Sequence, residues 1–370
     1  RSGACHTLQL HMALAMLALH APRSFMGPGT GAQHLPQRAA LRRAVCVSCK
    51  ITEKAEFSVA AASLRENGHK PAEHVTSMPA SALHEVAGSL SEPSSRHEPP
   101  ATPVPELSWT VRGQTVTPIG LWMAISVFFT AIVVQIPILA AWLYSEAFDD
   151  PPETGTRRGI DWIIGFWAFA SMSLCGYRPR VEGAENLPDG ACVYAPNHSS
   201  FLDILTLTGF VPRPFKYVSK ASILQIPFIG WPMQLAEHIP LQQSSRRSQL
   251  ETFKLSVESL ESGNSIVAFP EGGRSDDGAL QPFKRGPFKM ALRAGVPVVP
   301  VTISDVARWY PKGTLLPIGV PTDVVLTIHP PIETKGMRDE TEVLQKTYEL
   351  VNSALPLHQK GPPLEELALD

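Results

Sequence analysis

A histidine and an aspartate stand five residues apart in the stretch Asn197–Asp203, NHSSFLD. The stretch follows a short apolar run, Ala191–Ala195, that predicts a strand, and it precedes an apolar run that predicts a helix. Histidine exchanges a proton near neutral pH, and a carboxylate on its second ring nitrogen holds the ring in one tautomer. His198 and Asp203 are therefore candidates for a pair that takes the proton from an attacking hydroxyl group.

The same residues have a structural interpretation. Ser200 followed three positions later by Asp203 is typical of a capping box, with Ser200 as the N-cap of the next helix. In that case His198 is an ordinary loop histidine. The spacing alone leaves both interpretations open.

A second polar cluster, Phe269–Ser275 (FPEGGRS), follows another predicted strand. Its two glycines let the backbone come close to a ligand. Arg274 can hold a phosphate group through two hydrogen bonds. Lys284 and Arg285 lie just beyond and add positive charge. The alternative is a surface turn with a solvated arginine.

The region that carries both clusters alternates short β-rich runs with helical runs. The clearest helix is Arg246–Ser262, which Gly263 ends, and a further helix is expected between Arg338 and Leu355. We predict strands at Ala191–Ala195, Lys216–Ser219, His238–Leu241, Ser265–Phe269, Val298–Ile303 and Val324–Ile328. This pattern indicates an α/β fold with a mixed, largely parallel sheet flanked by helices, in which ligands bind at the carboxyl ends of strands.

An apolar region precedes this domain. Leu121–Tyr144 has no charged residue and is long enough to cross the hydrocarbon core, with Pro137 predicting a kink. Trp162–Tyr177 is a second, shorter uncharged run. We predict a membrane-anchoring helical hairpin over residues 113–177; the alternative is a buried core helix.

The first 50 residues contain no Asp or Glu and several arginines, which is typical of an organelle transit peptide. Met12 is a better start than Arg1. Leu8–Leu19 could instead be the apolar core of a secretory signal, and a mitochondrial presequence is a third option. Residues 51–112, rich in proline, serine and glutamate, predict a disordered linker.

The remaining composition limits the possible partners. The net charge of −2 does not suggest a nucleic-acid partner. Cys46 and Cys49 have CxxC spacing, but no second pair or histidine pair completes a zinc site, so we interpret the spacing as accidental.

Taken together, the motifs resemble those of the 1-acylglycerol-3-phosphate acyltransferases, the PlsC-like glycerolipid acyltransferases. Asn197–Asp203 matches the first motif of the family and Phe269–Ser275 the third. The proline-bearing apolar stretch Val296–Ile303 matches the fourth, and Lys220–Trp231 resembles plant and algal members. The resemblance covers roughly Val181 to Ile303.

The resemblance implies a mechanism and a set of site residues. His198 and Asp203 would activate the acceptor hydroxyl, which attacks an acyl thioester directly, without an acyl-enzyme, a metal or a bound cofactor. Glu271, Gly272 and Arg274 would bind the glycerol phosphate. Lys220 is a further substrate-binding candidate, and the strand Val298–Ile303 would help to form the acyl-binding side.

The resemblance also implies the partners. The expected reaction moves an acyl group from acyl-ACP or acyl-CoA to the sn-2 hydroxyl of lysophosphatidic acid and gives phosphatidic acid. The expected location is a plastid membrane, with the endoplasmic reticulum or a mitochondrial membrane as alternatives. We place the catalytic domain at residues 178–356 and a tail at 357–370.

Two departures from the family pattern concern the acceptor. Gly273 replaces the usual threonine of the third motif, and Gln243 stands where the second motif usually ends in a basic residue. Arg246 or Arg247 could supply that charge. Another lysophospholipid or glycerol 3-phosphate is therefore an alternative acceptor. A non-catalytic lipid-binding membrane protein of the same fold is the alternative of another class.

Overall fold

The computed structural model describes residues 107–147, 156–241 and 245–364. The expectations for residues 1–50 and for most of the predicted linker lie outside these ranges. The end of that linker is ordered, because Trp109–Val111 (β1) pairs antiparallel with Gln114–Val116 (β2).

A seven-stranded sheet forms the centre of the domain. Its strands, in chain order, are β3 (Arg180–Glu182), β4 (Val193–Pro196), β5 (Lys216–Lys220), β6 (Ile239–Leu241), β7 (Ile266–Val267), β8 (Val298–Ile303) and β9 (Val325–Ile328). Their order across the sheet is β3-β9-β8-β4-β7-β5-β6. All neighbours run parallel except β8 and β9. The predicted mixed, largely parallel α/β sheet is confirmed.

Helices cover both faces of this sheet. They are α1 (Pro118–Val133), α2 (Gln135–Ala147), α3 (Thr156–Leu174), α4 (Leu202–Phe210), α5 (Gly230–Leu235), α6 (Arg246–Glu261), α7 (Gly286–Ala294) and α8 (Glu340–Ala354). Alternate residues of a strand point to opposite faces. Tyr194 of β4 accordingly packs in one core with the first four helices, whereas Val193 packs in the other core with α6, α7 and α8.

The apolar region forms helices at the predicted places. The run Leu121–Tyr144 is divided between α1 and α2, with the break at Val134. Pro137 explains the break, since proline cannot donate to the carbonyl four residues earlier and its ring crowds that carbonyl. By length and composition, Pro118–Ser145 suffices to cross a membrane. The second apolar run, Trp162–Tyr177, forms most of α3 and continues three residues beyond its end at Leu174.

Two parts of the chain differ from the sequence expectation. The strand β3 was not predicted, because its residues Arg180–Glu182 alternate charged and apolar side chains over only three positions. A C-terminal tail was predicted at residues 357–370, and its described part, residues 357–364, packs on the domain. Gln359 is 3% exposed and accepts from Leu280 N at 2.9 Å, and Tyr348 Oη donates to Pro362 O at 2.8 Å.

Candidate active site

The predicted pair His198 and Asp203 meets at the carboxyl end of β4. His198 Nδ1 lies 3.0 Å from Asp203 Oδ2. The same oxygen accepts from the backbone N–H groups of Ser199 at 2.7 Å and Ser200 at 2.8 Å. Asp203 is fully buried in the first turn of α4, so three donors and the surrounding protein fix its position.

The capping interpretation named the wrong cap residue, because the N-cap of α4 is Phe201, which makes no side-chain cap bond. Asp203 reaches back to the N–H groups before α4, as the acidic member of a capping box does. Ser200 Oγ accepts from Leu202 N at 3.3 Å and donates to Tyr310 O at 2.9 Å. The Asp203 carboxylate in the first turn of α4 thus both binds the backbone that precedes the helix and orients His198.

The His198 ring is held face to face against Phe269, with 3.9 Å between ring centroids and 21° between planes. Its side chain is 12% exposed and borders a cavity. Since Nδ1 is engaged by Asp203, Nε2 is the nitrogen that remains for a substrate proton.

Asn197 fixes the backbone before the histidine. Its side-chain amide donates from Nδ2 to Ile303 O at 3.0 Å and accepts at Oδ1 from Ile303 N at 2.8 Å. These two bonds continue the pairing of β4 with β8 beyond the end of β4. The side chain is 3% exposed, so the contact is shielded from water.

Glu271 is turned away from the cavity and into the protein. Its Oε1 accepts from His198 N at 2.5 Å, and its Oε2 accepts from Gln281 N at 3.0 Å. The side chain is 7% exposed and is absent from the described residues that form the cavity wall. Burial raises the pKa of this carboxyl to about 8, and the two N–H bonds oppose that rise. Both carboxyl oxygens of Glu271 therefore bind backbone N–H groups, and one of these bonds positions His198.

The other residues that were predicted to bind the substrate do line the cavity. Gly272, Arg274 and Lys220 all border it, together with Gly273 and Lys284. Gly272 has φ of 74°, a left-handed backbone conformation that favours glycine, and the Lys284 side chain lies close to the position that a Cβ would take. Gln243 lies outside the described residues.

The cavity has a volume of about 880 Å³ and joins two chemically different ends. Its described wall includes the cations Lys220, Arg274 and Lys284 and no Asp or Glu, and Arg274 is near His198 because Ser275 N donates to His198 O at 2.9 Å. Its other end is apolar and reaches between the first helices and the sheet. That end is lined by Val127, Ala131, Val134, Ile138, Ile164, Trp167, Ile204, Leu205 and Met233.

The expectation that β8 helps to form the acyl-binding side is wrong. No residue of Val298–Ile303 belongs to the described cavity wall, and all six are buried. The strand lies inside the sheet, between β4 and β9, so its side chains fill the two cores. Its proline-bearing apolar character reflects burial on both faces.

One buried polar cluster was not predicted from the sequence. Lys216 Nζ lies 2.6 Å from Asp161 Oδ2, and His238 Nε2 lies 3.9 Å from Asp161 Oδ1. His238 Nδ1 accepts from Tyr217 N at 3.1 Å. Burial, with the charge of Lys216, lowers the pKa of His238 to about 3, so the ring is neutral. The cluster joins α3 to the edge of the sheet.

Comparisons with known proteins agree with this geometry. A family model described as "Acyltransferase" matches residues 178–304. A chloroplastic 1-acyl-sn-glycerol-3-phosphate acyltransferase of Brassica napus is 42% identical over 180 residues, 48% of this chain and 51% of that protein. A 1-acyl-sn-glycerol-3-phosphate acyltransferase of Chlamydomonas reinhardtii is 32% identical over 244 residues, 65% of this chain and 72% of that protein.

A solved structure is also similar. It is the crystal structure of the 1-acyl-sn-glycerophosphate acyltransferase PlsC from Thermotoga maritima, with a TM-score of 0.53 and 28% identity. The match covers 63% of this chain and 92% of the other.

Fold and site together define a glycerolipid acyltransferase domain of the PlsC type. The chain belongs to the 1-acyl-sn-glycerol-3-phosphate acyltransferase family. It spans about half the length of the first relatives that it matches, the chloroplastic proteins of Brassica napus and Arabidopsis thaliana.

Proposed function

We propose that this protein transfers an acyl group from a thioester donor, acyl-ACP or acyl-CoA, to the sn-2 hydroxyl of 1-acyl-sn-glycerol 3-phosphate. The product is phosphatidic acid. The observation that carries the proposal is the buried His198–Asp203 pair at the junction of a cationic and an apolar region of one cavity.

The chemistry follows from the free nitrogen of His198. Nε2 accepts the proton of the acceptor hydroxyl while the oxygen attacks the thioester carbonyl. The resulting imidazolium is stabilised by the Asp203 carboxylate, 3.0 Å from Nδ1. The tetrahedral intermediate collapses as the C–S bond breaks, and the leaving thiolate takes the proton from His198. One ester bond forms, one thioester bond breaks, and the histidine returns to its neutral state.

Arg274 and Lys284 provide a place for the acceptor phosphate beside His198. A guanidinium matches two phosphate oxygens, and the ammonium group adds a point charge. Gly272 has no side chain, so the backbone at this position can approach the phosphate closely, and its positive φ favours glycine. Lys220, at the end of β5, is positioned for a further phosphate or carbonyl contact. Glu271 acts differently in this proposal: it positions the His198 backbone.

The apolar end of the cavity fits an acyl chain. Its wall residues on α1 and α2 run from Val127 to Ile138, and eleven residue steps in an unbroken helix would extend about 16 Å. Val127 and Ile138 belong to the helices that are apolar enough to enter a bilayer. A lipid acceptor could therefore reach the cavity from the membrane. We place the protein at a plastid membrane, in line with the chloroplastic relatives.

The proposal is tested with the full chain reconstituted in vesicles. The rates of acyl transfer to lysophosphatidic acid, other lysophospholipids and glycerol 3-phosphate are compared, each with acyl-ACP and acyl-CoA. We expect lysophosphatidic acid to have the highest kcat/KM. The proposal fails if it is the poorest acceptor or if His198→Ala leaves the rate unchanged.

A second candidate acceptor has a specific observation in its favour. Gly273 borders the cavity beside Arg274, and a Cβ built there meets no atom within 4 Å. This open space would admit a phosphate group that carries a further substituent. If another lysophospholipid is the better acceptor, Gly273→Thr should reduce its use and leave lysophosphatidic acid unaffected.

A further inference from the structure

An exposed apolar surface lies next to the start of α1. We call Leu107, Trp109, Val111 and Leu315 the Trp109 patch; their exposed fractions are 67%, 42%, 49% and 66%. Trp109 and Val111 alternate along β1 and so point to the same side, and Leu107 lies two residues before the strand. Leu315 is joined to them because its backbone N–H donates to Gln114 Oε1 at 3.1 Å, and Gln114 pairs with Val111.

The patch is continuous with the apolar surface of α1. Thr117 caps that helix directly after β2. The loop after Leu315 also packs on the first turn of α1, since a Cβ on Gly120 would lie 1.9 Å from Pro317 O. Exposed apolar side chains then continue along α1 as Leu121, Trp122, Ile125, Phe128, Phe129 and Ile132. From residue 107 to residue 145, Arg112 is the only charged residue.

We propose that the Trp109 patch docks on the surface of a lipid bilayer and forms a second membrane contact beside the apolar helices. The inference rests on the proposed reaction with a membrane lipid. A tryptophan among aliphatic side chains is suited to the layer between headgroups and acyl chains. A protein partner would be expected to meet a polar rim around its apolar centre, whereas this patch continues into an uncharged helix.

The contact would set the position of the active site relative to the membrane. Tyr310 Oη donates to Leu315 O at 3.0 Å and closes the loop that carries Leu315. The same loop holds both halves of the site: Ser200 Oγ donates to Tyr310 O at 2.9 Å, and Lys312 Nζ donates to Arg274 O at 3.0 Å. Docking of Leu315 therefore places the cationic end of the cavity at the level of the lipid headgroups.

Depth in the bilayer is measured first. An environment-sensitive fluorophore is attached to Leu315→Cys or, as the control, to Leu357→Cys, whose native side chain is equally exposed at 66%. The three cysteines before residue 50 are replaced by serine, while Cys175 and Cys192 are buried. The full chain is bound to phosphatidylcholine–phosphatidylglycerol vesicles with a quencher on the upper acyl chain.

We expect quenching and a blue shift at position 315 and neither at position 357. An unquenched label at 315 on vesicle-bound protein would overturn the proposal. So would a label at 315 that is already shielded without vesicles, because residues 1–106 or a second copy would then cover the patch.

Kinetics provide the second measurement. Leu315→Asp should reduce transfer to a long-chain acceptor embedded in vesicles by roughly 10- to 100-fold, the equivalent of burying one leucine. Transfer to a monomeric short-chain acceptor should not change, which also shows that the variant folds. Leu357→Asp should affect neither. An equal loss of rate with the embedded and the monomeric acceptor would contradict docking. An inactive wild-type protein would count against the proposed function, and the quenching experiment would then decide whether the patch docks.

Discussion

Replacing Asp203 by asparagine separates the orienting role of this residue from its charge. Asp203 Oδ2 accepts from His198 Nδ1 and from the N–H groups of Ser199 and Ser200. The amide oxygen of asparagine can occupy the same position and keep all three bonds. The substitution therefore removes one negative charge next to the imidazolium and leaves the local geometry in place.

The expected loss follows from that charge. At 3.0 Å and an effective dielectric constant near 20, the attraction between carboxylate and imidazolium is about 5 kcal/mol. Each ~1.4 kcal/mol of transition-state stabilisation is a factor of ten in rate, so Asp203→Asn should lower kcat by roughly three to four orders of magnitude. The acceptor KM should stay close to the wild-type value, because Asp203 does not touch the acceptor.

The assay measures kcat and KM with lysophosphatidic acid as the varied substrate, together with the thermal midpoint of unfolding. A decrease in kcat of less than tenfold would refute the role of Asp203 as a charged partner of His198. A large decrease in the unfolding midpoint would instead show that the three bonds are not kept, and the kinetic result would then report on structure.

Three further predictions concern the residues around this pair. Arg274→Ala should raise the acceptor KM with little change in kcat, and equal loss at all acceptor concentrations would contradict a binding role. Glu271→Gln loses one of two backbone hydrogen bonds, so kcat should fall by roughly tenfold at unchanged acceptor KM. The pKa of Glu271 in the folded protein, about 8, lies above its ordinary value, so the free energy of unfolding of the wild type should decrease as the pH rises toward 8. The glutamine variant should lack this pH dependence. Lys216→Met leaves the buried Asp161 without its lysine partner, so the free energy of unfolding measured by denaturant titration should fall by about 3–5 kcal/mol. Adding Asp161→Leu should restore part of this free energy.

Much of the fold was predictable because its signals are local. The strand Val298–Ile303 has the predicted bounds, since an uncharged β-branched run needs no partner to be recognised. The helix Arg246–Glu261 ends one residue before the prediction. Arg180–Glu182 was missed because its strand character depends on pairing with β9, which the local sequence does not encode.

The site shows the same division. His198 and Asp203 are close in sequence, so their spacing sufficed to predict the pair. The role of Glu271 was not predictable, because its carboxylate could face either the substrate or the backbone, and only its contacts to His198 N and Gln281 N decide this. Lys216 and Asp161 are 55 residues apart in different elements, and no spacing links them.

The pair of hydrogen bonds between the Asn197 side chain and the Ile303 backbone has a consequence for the order of folding. The His198–Asp203 contact spans 5 residues, the His198–Glu271 contact 73, and the Asn197–Ile303 contact 106. Contacts between distant residues must overcome a larger loop-closure entropy and form late. During synthesis the catalytic pair can assemble soon after α4 emerges, but the backbone beneath it stays unsupported until β8 has been added. The protein would therefore acquire activity in one late step, when the sheet closes around β4.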